Sequence, residues 1–345
     1  MMSKPVAVLI SDVHYNVHTL KLADAAMRQA IARANELSIP LIVAGDLHDT
    51  KANLRGECVN AMLETFSLCN NMPFVMRGNH DSLNEKSEEH SLNFLKHQAY
   101  LVDRYTYDSD TNLHLFAYFN NTEELLRYRS NLPDGETCIM HQGLQSSNSG
   151  DYFQDHSALA PKDVAGLRII SGHYHTRQTI ALPNGGQWDF VGNPYTLTWG
   201  EAKDPVKGYQ ILYDDGSLEF VATGLRRHAI EEIPFDNLKN YKLNSFPTDL
   251  LWVKISGTQE QLSTLSRQKV ADALSLPPTG WKLDFLPADT TPTQIGIITP
   301  VVTQNVLLDN IIDSMQNTST KQKIRVKELW KSKLYNSTIS AVTKS

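Results

Sequence analysis

Five short apolar runs, each breaking off into a cluster of aspartate, histidine or asparagine, constrain this chain more than any other feature. Val6-Ala7-Val8-Leu9-Ile10 runs into Ser11-Asp12-Val13-His14, and Leu41-Ile42-Val43-Ala44 into Gly45-Asp46-Leu47-His48-Asp49. Pro73-Phe74-Val75-Met76 leads to Gly78-Asn79-His80-Asp81, and Thr137-Cys138-Ile139-Met140 to His141-Gln142-Gly143. Leu167-Arg168-Ile169-Ile170 leads to Ser171-Gly172-His173-Tyr174-His175. Continuous apolar runs of this length are the pattern of strands covered on both faces. Between the first three the period changes. Leu20, Ala23, Met27, Ala30, Ile31, Ala34 and Leu37 share one helical face, Pro40 marks its exit, and a second helical stretch covers residues 56–69. Strand, helix, strand, helix, strand is the order of a mostly parallel sheet. Open α/β sheets bind ligands at the carboxyl ends of their strands, so the five loops are expected to converge there.

The remainder is less regular. A polar helix is expected over residues 85–97, a strand over 113–118 and a helix over 122–130. From 179 to 223 short strands alternate with turns such as Asn184-Gly185-Gly186 and Asp214-Asp215-Gly216, which predicts an antiparallel second sheet. Residues 228–286 offer a strand at 250–255, a helix at 259–274 and a strand at 281–286, the content of a small α+β domain. Pro287, Pro292 and Pro300 punctuate a linker. Beyond it Leu308, Ile311, Ile312 and Met315 share a helical face, and a last stretch carries Val326, Leu329, Trp330 and Leu334 among lysines and Arg325. The expected divisions are 1–225, 226–290 and 291–345.

Composition excludes some classes. The net charge of −6 rules out a uniformly basic nucleic-acid binder, while leaving room for a local patch or for bound cations. Three cysteines, not in zinc-finger spacing, argue against a disulfide framework and for buried thiols. The first apolar run is too short for a signal peptide or a membrane span, so a cytoplasmic protein is expected.

The clusters hold Asp12, His14, Asp46, Asn79, His141, His173 and His175. Asp12 and His14 are two apart, as are His173 and His175. On an extended strand end, period two would aim both members of each pair the same way. Seven nitrogen and oxygen donors are too many for one metal and suit two, with Asp46 the natural bridge. Imidazole, carboxylate and amide oxygen together fit manganese, iron or catalytic zinc better than calcium. Two dications, less the charges of Asp12, Asp46 and a bridging hydroxide, leave a positive site for a phosphate oxyanion. Two metals can clamp the attacking and leaving oxygens of an in-line displacement, with the bridging water as nucleophile. His80 is left over as a proton donor to the leaving oxygen, and Asp49 is placed for its carboxylate to hold the tautomer of His80. His48 lies within the second cluster without being needed for coordination.

These blocks, D-x-H, G-D-x-x-D, G-N-H-D, H and G-H-x-H in order from Asp12 to His175, resemble the calcineurin-type metallophosphoesterases. That resemblance implies a four-layered α/β/β/α sandwich. It also implies one metal held by Asp12, His14, Asp46 and His175, and another by Asp46, Asn79, His141 and His173. Within the superfamily the chain is similar to the SbcD-type nuclease subunit of recombination and repair complexes, especially its compact phage counterparts. The likeness lies in Gly45-Asp46-Leu47-His48-Asp49-Thr50, Val191-Gly192-Asn193-Pro194-Tyr195, Trp199-Gly200-Glu201 and Lys207-Gly208-Tyr209. It implies a manganese-dependent 3′–5′ exonuclease and single-strand endonuclease on DNA. It further implies a small α+β cap over the DNA site, C-terminal helices that dock on an SMC-like, SbcC-type ATPase, and a homodimer. The other enzyme these residues allow is a small-molecule phosphodiesterase or phosphatase with the same dinuclear site.

Overall fold

The computed structural model describes residues 3–51, 53–84, 89–147, 155–245 and 249–287. Strands β1 (Pro5–Ile10), β2 (Leu41–Val43), β3 (Phe74–Met76) and β4 (Tyr100–Val102) lie parallel and adjacent. Helices α1 (Leu20–Leu37) and α2 (Gly56–Phe66) are the first two crossovers. The apolar stripe of α1 buries Ala23, Met27, Ala30 and Ile31 against Val8, Ile10 and Val43. Burial of each large aliphatic side chain there contributes roughly 1.5–3 kcal/mol. The helix stops at Ser38, in the left-handed region at φ 56°, two residues before Pro40.

A second sheet follows: β5 (Tyr105–Asp108), β6 (Leu113–Phe116), β7 (Thr137–Met140), β8 (Arg168–Ser171), β9 (Gln178–Ala181) and β10 (Gln187–Phe190). Its order is β5-β6-β7-β8-β10-β9, with β6, β7, β8 and β10 parallel and the two edge strands antiparallel to their neighbours. Helix α3 (Thr122–Arg129), capped by the Asn121 side chain on the Glu123 N–H, joins β6 to β7. The two sheets face each other across Leu9, Ile42 and Met76 on one side and Leu115, Ile139 and Ile170 on the other. With α1 and α2 outside the first sheet, and α3 with Leu144, Leu159 and Val164 outside the second, the fold is the expected α/β/β/α sandwich.

The antiparallel block expected over 179–223 is not one sheet. Its first half, β9 and β10, extends the second sheet. Its second half, β11 (Gly208–Tyr213) and β12 (Leu218–Ala222), completes the first, with β11 antiparallel to β1. The sequence distinguishes the halves only by burial. Residues 208–212 of β11 are all buried, as a strand between two neighbours in a covered sheet must be, whereas β9 and β12 are edges. The helix expected at 85–97 is instead a 3₁₀ turn at Ser91–Leu95, with residues 85–88 outside the described set.

From residue 228 a three-stranded sheet has its own core. β13 (His228–Pro234) runs parallel to β14 (Leu250–Gly257), with β15 (Trp281–Pro287) on the other side. The helix expected at 259–274 is two, α4 (Gln259–Ser263) and α5 (Arg267–Leu274). Hydroxyls of Ser263 and Thr264 bond back to main-chain carbonyls, and Ser266 caps α5, so this polar stretch favours a break. Ile233, Val253, Ile255, Val270, Leu274 and Trp281 fill the space between. Residues through Leu286 belong to one compact unit. The helices expected within 291–345 lie outside the described residues. Among those described, no helix is long and apolar enough to cross a membrane.

Candidate metal centre

The five polar clusters meet at one end of the facing sheets, but not by strand alternation. β1 ends at Ile10 and β8 at Ser171, before their clusters begin. Asp12, His14, Asp46 and His173 all adopt left-handed backbone conformations, at φ 52°, 50°, 50° and 83°. The expected extended pairs are therefore tight turns that curl the side chains back over the sheet ends. Left-handed non-glycine residues are strained and persist where surroundings over-determine them. Here the surroundings are main-chain bonds between loops: Asp12 N–H to Gly45 O, His14 N–H to Asp46 O and Tyr15 N–H to Leu47 O. Glycines provide the room. A Cβ on Gly78 would fall 2.1 Å from Asp46 Oδ1, and one on Gly45 2.1 Å from His141 Nδ1.

All seven expected ligands come together, in two groups. In the first, His14 Nε2 faces His175 Nε2 at 3.2 Å, with Asp12 Oδ1 4.0 Å from His175 Nε2. In the second, Asn79 Oδ1 lies 3.1 Å from His141 Nε2 and 2.9 Å from His173 Nδ1. Asp46 Oδ2 reaches both groups, 3.9 Å from His14 Nε2 and 3.3 Å from His141 Nε2.

The outer partners of the imidazoles show what this arrangement suits. His141 Nδ1 donates to Ala44 O at 2.7 Å, His173 Nε2 to Asp155 Oδ2 at 3.1 Å and His175 Nδ1 to Glu201 Oε1 at 2.9 Å. His14 Nδ1 stands 3.5 Å from Asp49 Oδ1. A carbonyl or carboxylate can only accept, so in the neutral rings each proton sits on the outer nitrogen and the inner one presents its lone pair. Lone pairs of nitrogen, amide oxygen and carboxylate thus converge, and a cation is what such a set favours. The field has the same sign. Burial would push the His141 ring down, but the Asp46 and Asp12 carboxylates outweigh it and raise the ring to about 9. For His175, too, burial is overcome by Glu201 and Asp12, and its pKa is raised. The same carboxylates that favour a proton there would favour a divalent ion in its place. The residues fit the dinuclear group.

His80 is adjacent, its main-chain N–H on Asp46 Oδ1 at 2.8 Å and its ring 4.8 Å from that of His14. The expectation for Asp49 needs correcting. His80 Nδ1 donates to the main-chain carbonyl of Asp49 at 2.6 Å, while the Asp49 carboxylate turns to His14 and Asn16. The turn that sets Asp46 left-handed presents the carbonyl, not the side chain. Asp81 is buried and accepts from the N–H groups of Gly78, Leu47 and His48, at 2.8, 3.4 and 3.3 Å. His48 packs beneath, its ring against the Ser91 hydroxyl.

Sequence reasoning did not anticipate the positioning residues. Glu201 also accepts from Asn193 Nδ2 and the Leu197 N–H, both at 2.9 Å, and Lys207 Nζ donates to the His175 carbonyl at 2.8 Å. Burial works against the Glu201 charge, yet His175 and Lys207 hold its carboxyl down at about 2. Asp155 sits against Ser157 as well as His173, and its pKa is lowered against the effect of burial.

Two facing sheets that deliver a histidine- and carboxylate-lined, doubly nucleated donor set define a hydrolase that works on phosphoesters through metal ions. Residues 6–177 match the family model described as calcineurin-like phosphoesterase, and this part of the chain belongs to that superfamily, whose members use a dinuclear divalent-metal site. No curated protein matches it in sequence. Among solved structures it is similar to an archaeal phosphodiesterase, at 14% identity and TM-score 0.35 over 64% of this chain and 99% of that one. It is also similar to a dimetal phosphatase from Danio rerio, at 13% and 0.36 over 61% and 93%. A third is a 5′-nucleotidase precursor from Thermus thermophilus, at 13% and 0.38 over 63% and 53%. Likenesses this distant lend no substrate to the chain.

Proposed function

We propose that the chain is a DNA nuclease, the phosphodiester-cleaving subunit of a recombination or repair complex, working with manganese in the cytoplasm. One ion would be held by Asp12, His14, Asp46 and His175, the other by Asp46, Asn79, His141 and His173. When bound, such a pair supplies Lewis-acid charge for a phosphoryl group and a nucleophile drawn from water at neutral pH. The protein's own part is to orient the ligands through Asp155, Glu201, Ala44 O and Asp49, and to set His80 beside them as the proton donor to the leaving oxygen.

The observation that carries the nuclease reading is the added α+β part of β13, β14 and β15, which has its own sheet and core within the same compact body. It packs against the loop that supplies Glu201, and so stands at the His175 side of the site. A small-molecule phosphatase has no need of a second folded unit there, and a polymer needs a surface beyond the reacting phosphate. The association of residues 291–345 with an SMC-like ATPase, and a homodimer, belong to the same proposal. The test is degradation of end-labelled duplex and single-stranded DNA with manganese. Cleavage is expected in the wild type and is abolished by Asp46→Ala. Hydrolysis of nucleotide diesters with DNA left untouched, even in the presence of an ATPase partner, would assign the chain to small-molecule phosphodiesterases instead.

A further inference from the structure

The 3₁₀ turn Trp199–Glu201 carries two different attachments within three residues. At its end, Glu201 holds the Nδ1 of His175, and the same carboxylate ties Asn193 and the Leu197 N–H. At its start, Trp199 meets the α+β unit. Its ring is 5.3 Å from Trp252 of β14 and 4.8 Å from His228 of β13, both edge-on, and Lys282 Nζ of β15 lies 4.9 Å from its centroid. Just upstream, the Thr196 hydroxyl contacts His228 Nδ1 at 2.9 Å and accepts from the His228 N–H at 2.7 Å. The segment 196–201 therefore belongs at one end to the metal site and at the other to the second unit.

The surroundings give this link a direction. His175 is clamped twice, its ring by Glu201 and its main-chain carbonyl by Lys207, and both clamps are nearly buried. Immediately behind them lies a crevice of about 360 Å³ between the sandwich and the α+β unit, lined by Thr196, Glu201, Lys207, His228 and Asp249. The two units are thus not packed solid at this level. The aromatic contact at Trp199 and the Thr196–His228 pair span the junction where the crevice leaves it open.

We propose that Trp199 and Thr196 are positioning residues. Through Glu201 they couple the placement of the α+β unit to the orientation of His175, and so to the affinity of the one metal ion that His175 would hold. The proposal rests on the dinuclear reading of the site. It makes the α+β unit a regulator of metal loading at one of two positions, in addition to any contact it makes with substrate. Whatever binds that unit and shifts it would tighten or loosen one ion and leave the other alone.

The experiment is titration of the metal-free full chain with Mn²⁺, followed by calorimetry and by electron paramagnetic resonance. The wild type is expected to take up two ions. Glu201→Ala should weaken one of them about 10–100-fold, as loss of a partner to a liganding histidine does. Trp252→Ala, on the other unit, should weaken the same ion about tenfold and spare the second, and Trp252→Phe should restore most of the loss. Thr196→Val, which empties no packed position, should shift that ion in the same direction and serves if Trp252→Ala does not fold. In the double variant Glu201→Ala/Trp252→Ala, the effect of the tryptophan should disappear, because its route is gone. Unchanged affinities in folded Trp252→Ala or Thr196→Val, equal weakening of both ions, or full additivity with Glu201→Ala would overturn the coupling. A wild-type chain that takes up fewer than two ions overturns the dinuclear reading itself, and the coupling with it.

Discussion

His80 shows how finely roles are divided within four consecutive residues. Its neighbour Asn79 presents a neutral oxygen to His141 and His173, which adds a donor without adding charge. His80 itself gives Nδ1 to the Asp49 carbonyl, so that in the proposed mechanism Nε2 is the nitrogen that would serve the leaving oxygen. His80→Gln should therefore retain two metal ions per chain, measured by mass spectrometry, while kcat falls about 10²–10⁴-fold. Loss of an ion in that variant would make His80 a ligand instead. The seven side chains that converge were legible because a metal-binding set demands particular residue types, and those stood after apolar runs. Asp155 and Glu201 were not, since any acceptor can hold the far side of a histidine, as Ala44 O does for His141. The carbonyl of Asp49 was beyond reading, because a main-chain contact leaves no mark on residue type.

Among elements, the loops after β2 and β3 are tied together by His80, through Asp46 and the Asp49 carbonyl, and by Asp81. It draws N–H groups from both loops onto one buried carboxylate, which keeps Asp46 and Asn79 at a fixed separation. Asp81→Ala strands these donors without partners and should destabilise the chain by about 3 kcal/mol in chemical denaturation. Asp81→Asn keeps an acceptor and should cost less. A destabilisation under about 0.5 kcal/mol for the alanine variant, a typical surface effect, would mean that the loops are held elsewhere. The early βα order was readable because each helix and strand carries its own period. The destinations of β9 to β12 were not readable from short strands and turns, because choosing between two sheets depends on partners far away in sequence.

For the molecule as a whole, the three thiols report on how completely the layers close. Cys58 lies on α2, Cys69 just after it and Cys138 on β7. Burial raises the pKa of Cys58, lifts Cys69 to about 11 and raises Cys138 further. The thiolate is the reactive form, so at pH 8 only about one Cys69 in a thousand is poised to react. Labelling with a disulfide reagent should be slow in the native chain at pH 8, quicken as pH rises towards 11, and reach three equivalents at once in denaturant. Rapid native labelling would mean that a layer opens. The pairing of β1 with β11 joins strands roughly 200 residues apart, a separation that slows folding because loop entropy is lost before the contact forms. A ribosome-bound chain that has emerged only through His175 already carries all seven converging side chains. It lacks β11, the antiparallel neighbour of β1, as well as Asn193, Glu201 and Lys207, which fix His175. During synthesis the site thus assembles only after all seven of these side chains have emerged, and an unfinished chain has the blocks of a phosphoesterase without the means to hold them in place.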